Sequence, residues 1–228
     1  LRDPDGEAHA VRLLTWVPGR VLAAVRPHTP ALLCSLGTLL GTLDAALDGF
    51  DHPAADRDLG WDPRRTDWVG DYLPLVADPA RRDLAERLLG EADAAVARLA
   101  PALRTGVVHN DANDYNVIVD VGDPYTRRVA AVVDFGDCQR TWTVNELAVA
   151  AAYAALDKPD PLAAMVPIVE GYHAARPLTE ADMEAIFPLV CLRLAVSVVI
   201  SAYQRREEPA NAYLTISERP AWDLLGKL

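Results

Sequence analysis

Asp111 and Asn116 lie in the run His109-Asn-Asp111-Ala-Asn-Asp-Tyr-Asn116, and Asp134 lies in Val132-Val-Asp134-Phe-Gly136-Asp137. These residue types, in this order, are what phosphoryl transfer requires. The reaction needs a carboxylate to accept the proton of an attacking hydroxyl, and oxygen ligands to hold Mg2+ against nucleotide phosphates. HxDxxxxN followed by DFG supplies both: Asp111 is the candidate base, and Asn116 and Asp134 are the candidate metal ligands. Each motif is short enough to recur by chance. In sequence, each ending on an expected strand, they form a specific signal.

Positioning these residues takes a strand and a hairpin. Val107-Val108-His109 reads as a short strand, so Asp111 falls in the loop that follows it. Asn116 to Val121 and Arg128 to Phe135 are β-rich and flank Gly122-Asp123-Pro124, the pattern of a hairpin. Neighbouring strands lie about 4.8 Å apart, so one hairpin brings Asn116 and Asp134 to a shared metal. The long turn from Val121 to Arg128 leaves the register open. Near the start, His9 to Val17 is partly alternating and stops at Pro18-Gly19, which predicts a strand ending in a turn.

The rest is helical. Leu32, Leu33, Leu36, Leu39, Leu40, Leu43 and Leu47 recur at three and four, predicting a helix from Thr29 to about Phe50, with Gly37 and Gly41 placed for close packing. A short helix is expected around Thr66 to Val76, and a long one from Asp78-Pro79 to Leu99, with proline in its first turn. Further helices are expected at Val144 to Ala155, Pro161 to Ala174, Thr179 to Arg206, Pro209 to Ser217 and Pro220 to Leu228. Thr179 with Asp182 forms an approximate capping box. The fold class is therefore α+β and mostly helical, with one small sheet patch.

At the HxDxxxxN and DFG residues the chain resembles the aminoglycoside phosphotransferase family, small-molecule kinases related in fold to protein kinases. Val11 to Gly19 is similar to the hinge strand of its hydroxylysine-kinase-like branch, and Asn211 to Trp222 to that branch's final helices. The resemblance implies a protein-kinase-like C-terminal lobe with a hinge strand and a small catalytic β-hairpin. It implies Asp111 as catalytic base, Asn116 and Asp134 as Mg2+ ligands, and backbone at Leu14, Thr15 and Trp16 meeting the adenine of ATP. No Gly-x-Gly occurs in the sequence, and both lysines, Lys158 and Lys227, follow Asp134. The phosphate-covering loop and the strand lysine of the family are thus not here, and the expectation is a lobe whose N-terminal partner is missing. Residues 1–19 would be the hinge and the end of that partner, residues 20–228 the phosphotransferase lobe, inactive and weakly ATP-binding when isolated.

Other residues have competing readings. His109 is expected to be structural, its ring bonding backbone near Asp134. Asp137 could meet a second metal or a substrate amine, or cap the segment leading to the helix near Val144; Asn113 and Asp114 could contribute to the site or be turn residues. Glu146 favours the start of its helix. Trp61, Trp68 and Tyr72 could line a cation pocket or pack in the core, and Asp51, Asp56, Asp58 and Asp62 could attract an amine or simply be solvated. A metal-dependent oxygenase built on His109, Asp111 and His173 is one rival, and a non-catalytic kinase-shaped module another.

Composition limits the partners. The formal net charge of −11 argues against nucleic acid or anionic membrane, and suits a small, cationic hydroxyl acceptor. Three cysteines without a CxxC point to a reducing, cytoplasmic setting, and no apolar run reaches the length of a membrane span. Apolar surface around Leu13, Val17 and the Val117 to Val119 strand is expected to be exposed and to favour a homodimer through the nucleotide face.

Overall fold

The computed structural model describes residue 2, residues 4–211 and residues 216–228. Two small sheets sit against a helical body. The first has strand order β1 (Arg20–Val21), β3 (Val117–Val119), β4 (Val129–Val132); the second pairs β2 (Thr105–Val108) with β5 (Gln139–Trp142), and all pairs are antiparallel. The helices are α1 (Pro30–Ala46), α2 (Val69–Tyr72), α3 (Pro79–Leu99), α4 (Val144–Ala154), α5 (Pro161–Ala175), α6 (Glu180–Glu207) and α7 (Glu218–Leu225).

Three helices begin with a side-chain cap followed by proline, because the cap supplies an acceptor and proline removes a donor the first turn cannot use. Thr29 accepts from the Leu32 N–H, Asp78 from Ala80 and Arg81, and Asp160 from Ala163. The Thr179–Asp182 capping box is complete in both directions. Helix α6 is by length and composition long and apolar enough to cross a membrane, but it is mostly buried, packed on α3, α4 and α7 as the core helix.

Helices α1 and α5 pack backbone to backbone. A Cβ at Gly37 would stand 1.9 Å from the Ile168 carbonyl oxygen, and one at Gly171 would stand 2.0 Å from that of Cys34. Beneath this contact the Tyr172 hydroxyl donates to the buried Asp44 carboxyl, whose other oxygen has no hydrogen-bond partner among the described residues.

The sequence misplaced the first strand. Residues 9–17 belong to no strand, with Leu13 99% and Trp16 82% exposed, and the first strand starts only at Arg20, opposite Val119. Gly19 explains the shift: a Cβ there would lie 2.4 Å from Ile118 Cγ2, so the chain can approach β3 only at a glycine. Val117 and Val119 are fully buried rather than exposed, because β3 is the central strand and turns both valines into the core. Strand β5 was not anticipated, and a register shift at Ile118/Val119 accommodates the long hairpin turn. The helix expected over Pro209 to Ser217 falls partly outside the described residues, and α7 begins at Glu218 rather than Pro220.

Two outcomes follow from the α1–α5 contact. Gly37→Ala should cost about 1–3 kcal/mol, as overpacking does, whereas Gly90→Ala, on open α3 surface, should be neutral or stabilising; urea unfolding separates them. Burial pushes the Asp44 carboxyl up to about 7. An acid whose native pKa exceeds its unfolded value keeps its proton in the folded state. Its stabilisation is therefore complete below about pH 4 and is lost as pH rises toward about 7. Asp44→Asn should flatten that limb when urea midpoints are compared at pH 5 and pH 8.

Candidate active site

The site begins where β2 ends. His109 is fully buried; its Nδ1 accepts from the Asp111 N–H at 3.3 Å, which leaves Nε2–H to donate to the Val133 carbonyl at 3.0 Å. Burial lowers its pKa, so the ring is a neutral strut joining the two sheets, and it stacks edge-on to Phe135 at 4.6 Å. Both ring nitrogens are thus committed. His173 Nδ1 accepts from the Leu178 N–H, so the oxygenase triad is not assembled.

Asn110 takes the left-handed conformation at φ 69°, a geometry asparagine tolerates better than most residues. Its N–H donates to Glu146 Oε2 at 2.7 Å, and its Oδ1 accepts from Asn145 at 2.8 Å. Both partners stand in the first turn of α4. Glu146 is wholly buried, and desolvation together with the charge of Asp44 holds its carboxyl well above the usual range. The acidic residue read from sequence as a helix-dipole partner therefore has a specific job: it anchors the loop that carries Asp111.

Asp111 is held on both oxygens. Oδ1 accepts from Arg193 Nη2 at 2.8 Å, and Oδ2 from Asn113 at 2.9 Å and Asn116 at 2.8 Å. Burial raises its pKa, and the Arg193 charge only partly offsets this. Asn116 Nδ2 is used by Asp111, including its backbone oxygen at 2.9 Å, so the amide oxygen stays outside this bonding. The Val133 N–H donates to the Asn116 carbonyl at 2.9 Å, which puts Asn116 and Asp134 at the same end of the hairpin. Asp134 is exposed, left-handed at φ 65°, and one of its oxygens accepts from the Gly136 N–H.

Asp111 opens on a cavity of about 180 Å³ lined also by Trp61, Asp137, Arg193, Ser197 and Gln204. The larger cavity of about 600 Å³ between α1 and β4 has no carboxylate in its lining, so volume alone does not mark the chemistry. Asp137 lines the smaller cavity and does not cap α4, from which β5 separates it. Asp114 is not part of this lining; burial pushes it up to about 6, beside the charges of Arg26 and Lys158. Leu14, Thr15 and Trp16 are exposed. Tyr72 packs edge-to-face with both Trp68 and Tyr203, so of the three aromatics only Trp61 reaches the cavity.

The acidic loop is paired rather than open. Arg140 bridges Asp51 and Asp56, Arg65 meets Asp58, and buried Asp62 accepts from Arg64 and Thr141. Arg57 donates to the carbonyls of Gly136 and Cys138. Sequence reasoning also passed over Arg193, Ser197, Ser201 and Gln204. Their spacing of four, four and three in the otherwise apolar stretch 185–204 is a polar stripe on one face of α6, and that was the available signal.

A family model, the phosphotransferase enzyme family (APH), matches residues 2–183. Hydroxylysine kinases of Mus musculus and Bos taurus are each 28% identical over 97% of the chain. The chain spans about three-fifths of their length, the share being 61% for both. Among solved structures, an aminopropanol kinase associated with a microcompartment superposes with TM-score 0.62 over 87% of this chain and 62% of its own, at 20% identity. An aminoglycoside phosphotransferase from Alicyclobacillus acidocaldarius gives 0.61 over 93% and 66%, at 13% identity. The amicoumacin kinase hAmiN, solved with AMP-PNP and Ca2+, gives 0.61 over 92% and 62%, at 15% identity. These likenesses show a shared kinase-like fold, and with a family match over most of its length the chain belongs to the phosphotransferase enzyme family.

Proposed function

We propose that this chain carries the base, the metal ligands and the acceptor pocket of an ATP- and Mg2+-dependent kinase that phosphorylates a hydroxyl of a small, amine-bearing molecule. The observation that carries the reading is Asp111, held on both carboxylate oxygens at the mouth of a cavity that also presents Asp137. In this reading residues 20–228 form the C-terminal lobe of a protein-kinase-like unit, and residues 1–19 lead in from its hinge, where backbone at Leu14 to Trp16 meets adenine. The relatives support the acceptor class: hydroxylysine, aminopropanol and aminoglycosides each combine a hydroxyl with an amine.

Asp111 accepts the hydroxyl proton. Desolvation makes it a stronger base than a solvated aspartate, and the amides of Asn113 and Asn116 hold its plane, so the hydroxyl oxygen is presented in line rather than searching for its geometry. Asp137 offers the acceptor's ammonium group a charge across the cavity. The amide oxygen of Asn116 and the exposed carboxylate of Asp134 are hard oxygen donors, a set that suits Mg2+. When bound there, Mg2+ would neutralise phosphate charge during transfer.

In the full-length protein, Asp111→Asn should lower kcat by about 10²–10⁴-fold while nucleotide affinity is retained, and Asp134→Asn should weaken Mg2+-nucleotide binding itself. Parental kcat in Asp111→Asn would remove the base assignment. Glu146→Ala strands the buried Asn110 N–H, a loss of about 1–3 kcal/mol, and should reduce kcat. Glu146→Gln keeps an acceptor and should retain both stability and turnover, read by urea unfolding and steady-state kinetics.

A further inference from the structure

The two lysines of this chain, 69 positions apart, meet at one cavity. Lys158, in the turn between α4 and α5, and Lys227, just after α7, line a space of about 300 Å³ together with Asp157 and Asp223. Lys227 Nζ donates to the Lys158 carbonyl at 3.1 Å, which ties the turn to the last helix.

Lys158 is half-buried and makes no ion pair among the described residues. Its Nζ instead donates to His28 Nδ1 at 2.7 Å, which leaves Nε2–H to donate to the Leu22 carbonyl at 3.1 Å. Arg26 Nη1 stands 3.1 Å from the same Nε2 and donates to the carbonyls of Ala23 and Val25. An ammonium is thus partnered by an uncharged ring, with a second cation beside it, and both features disfavour its charge. Burial first, and the Arg26 charge second, push Lys158 down to about 8, against the opposing pull of Asp157 and Asp114. Burial also pushes His28 down to about 4, so its ring remains an acceptor at neutral pH. At pH 7.5 an amine of pKa 8 is about one-quarter unprotonated, against roughly one in a thousand for an ordinary lysine.

We propose that Lys158 is a site of covalent acylation that takes its acyl group from a small acyl phosphate, with His28 as its positioning residue. The unprotonated Nζ attacks the acyl carbon and forms the N–C bond. The C–O bond to phosphate breaks, phosphate leaves with the electron pair, and the displaced proton goes to solvent. The remaining N–H keeps its bond to His28 Nδ1. The amide product carries no charge, so it escapes both the repulsion of Arg26 and the cost of burying an ammonium. Lys227 sets a second cation on the cavity wall for the anionic leaving group, and the volume is at the small end for ligand pockets, which suits a short acyl donor. Lys158 has no part in the proposed phosphoryl transfer, so the inference does not rest on that reading.

The test treats the full-length protein with acetyl phosphate at pH 7.5 and follows the peptides carrying Lys158 and Lys227 by mass spectrometry. Lys158 should acetylate about tenfold or more faster than Lys227 in native protein, and the ratio should fall below about threefold in guanidinium chloride, where burial is lost. The Lys158 rate should rise with pH to about 8 and then level, because the unprotonated fraction saturates there. His28→Ala should slow Lys158 about fivefold or more at pH 7.5 and move the plateau to higher pH, with the Lys227 rate unchanged. Equal native rates, or no acetylation of Lys158, overturn the proposal on wild-type protein alone, so a variant that fails to fold does not shield it. A ratio that survives denaturation also overturns it, because local sequence rather than the fold would then be its cause. An unchanged rate and plateau in folded His28→Ala overturn the role of His28.

Discussion

A candidate base at the mouth of a cavity can act only if the backbone beneath it cannot relax, and here that constraint is the bond from the Asn110 N–H to Glu146 Oε2. Asn110 holds the left-handed turn that swings the chain from β2 into the loop that carries Asp111, a conformation that costs energy and persists only where its surroundings over-determine it. Glu146 and Asn145 provide that through two hydrogen bonds from consecutive residues of a buried helix end. The raised pKa of Glu146 belongs to the same arrangement. A neutral carboxyl can be buried beside Asp44 at far less cost than a charged one, and still accept from a backbone donor.

From that anchor the geometry propagates in both directions. His109 on one side of Asn110 ties β2 to the end of β4 through Val133, and Asp111 on the other is gripped by Asn113, Asn116 and Arg193. Asn113 also accepts from the N–H groups of Tyr115 and Asn116, so one side chain both turns the loop and orients the Asp111 carboxylate. The turn reading and the functional reading of Asn113 are therefore not alternatives. Strand β4 is fastened in turn to the helical body where the Val129 N–H donates to Ser35 of α1, so the candidate metal ligands rest on the same packing as Asp111.

What was legible in the sequence was local. The helix starts at Pro30, Pro79 and Pro161, the Thr179–Asp182 box and the glycine contact at Gly37 all depend on residues within a few positions or on a side-chain size the helix period exposes. The order Asp111, Asn116, Asp134 was legible because a hairpin keeps those residues close in sequence as well as in space. The illegible parts are pairings across long separations. Arg193 meets Asp111 from 82 positions away, and Arg57 meets Cys138 from 81. No local periodicity encodes such partners. The strand misplaced at residues 9–17 shows the converse: its alternation was real, but alternation specifies a face and not a neighbour, and the neighbour, β3, is reached only after Gly19.

The scarcity of lysine then acquires a physical consequence. With only Lys158 and Lys227 available, nearly every cation that ties this site together is a guanidinium. Arg57 reaches two carbonyls at once, Arg140 two carboxylates, and Arg64 both oxygens of Asp62. A compact ammonium makes none of these forks as well, because its donors do not lie in one plane. These ties hold the loop that carries Trp61, and the Arg193 guanidinium stands over the Trp61 ring at 4.2 Å. The wall that Trp61 gives the cavity beside Asp111 is thus set by arginines distant from it, and the shape of that cavity depends on a loop that by composition alone would read as solvated acid.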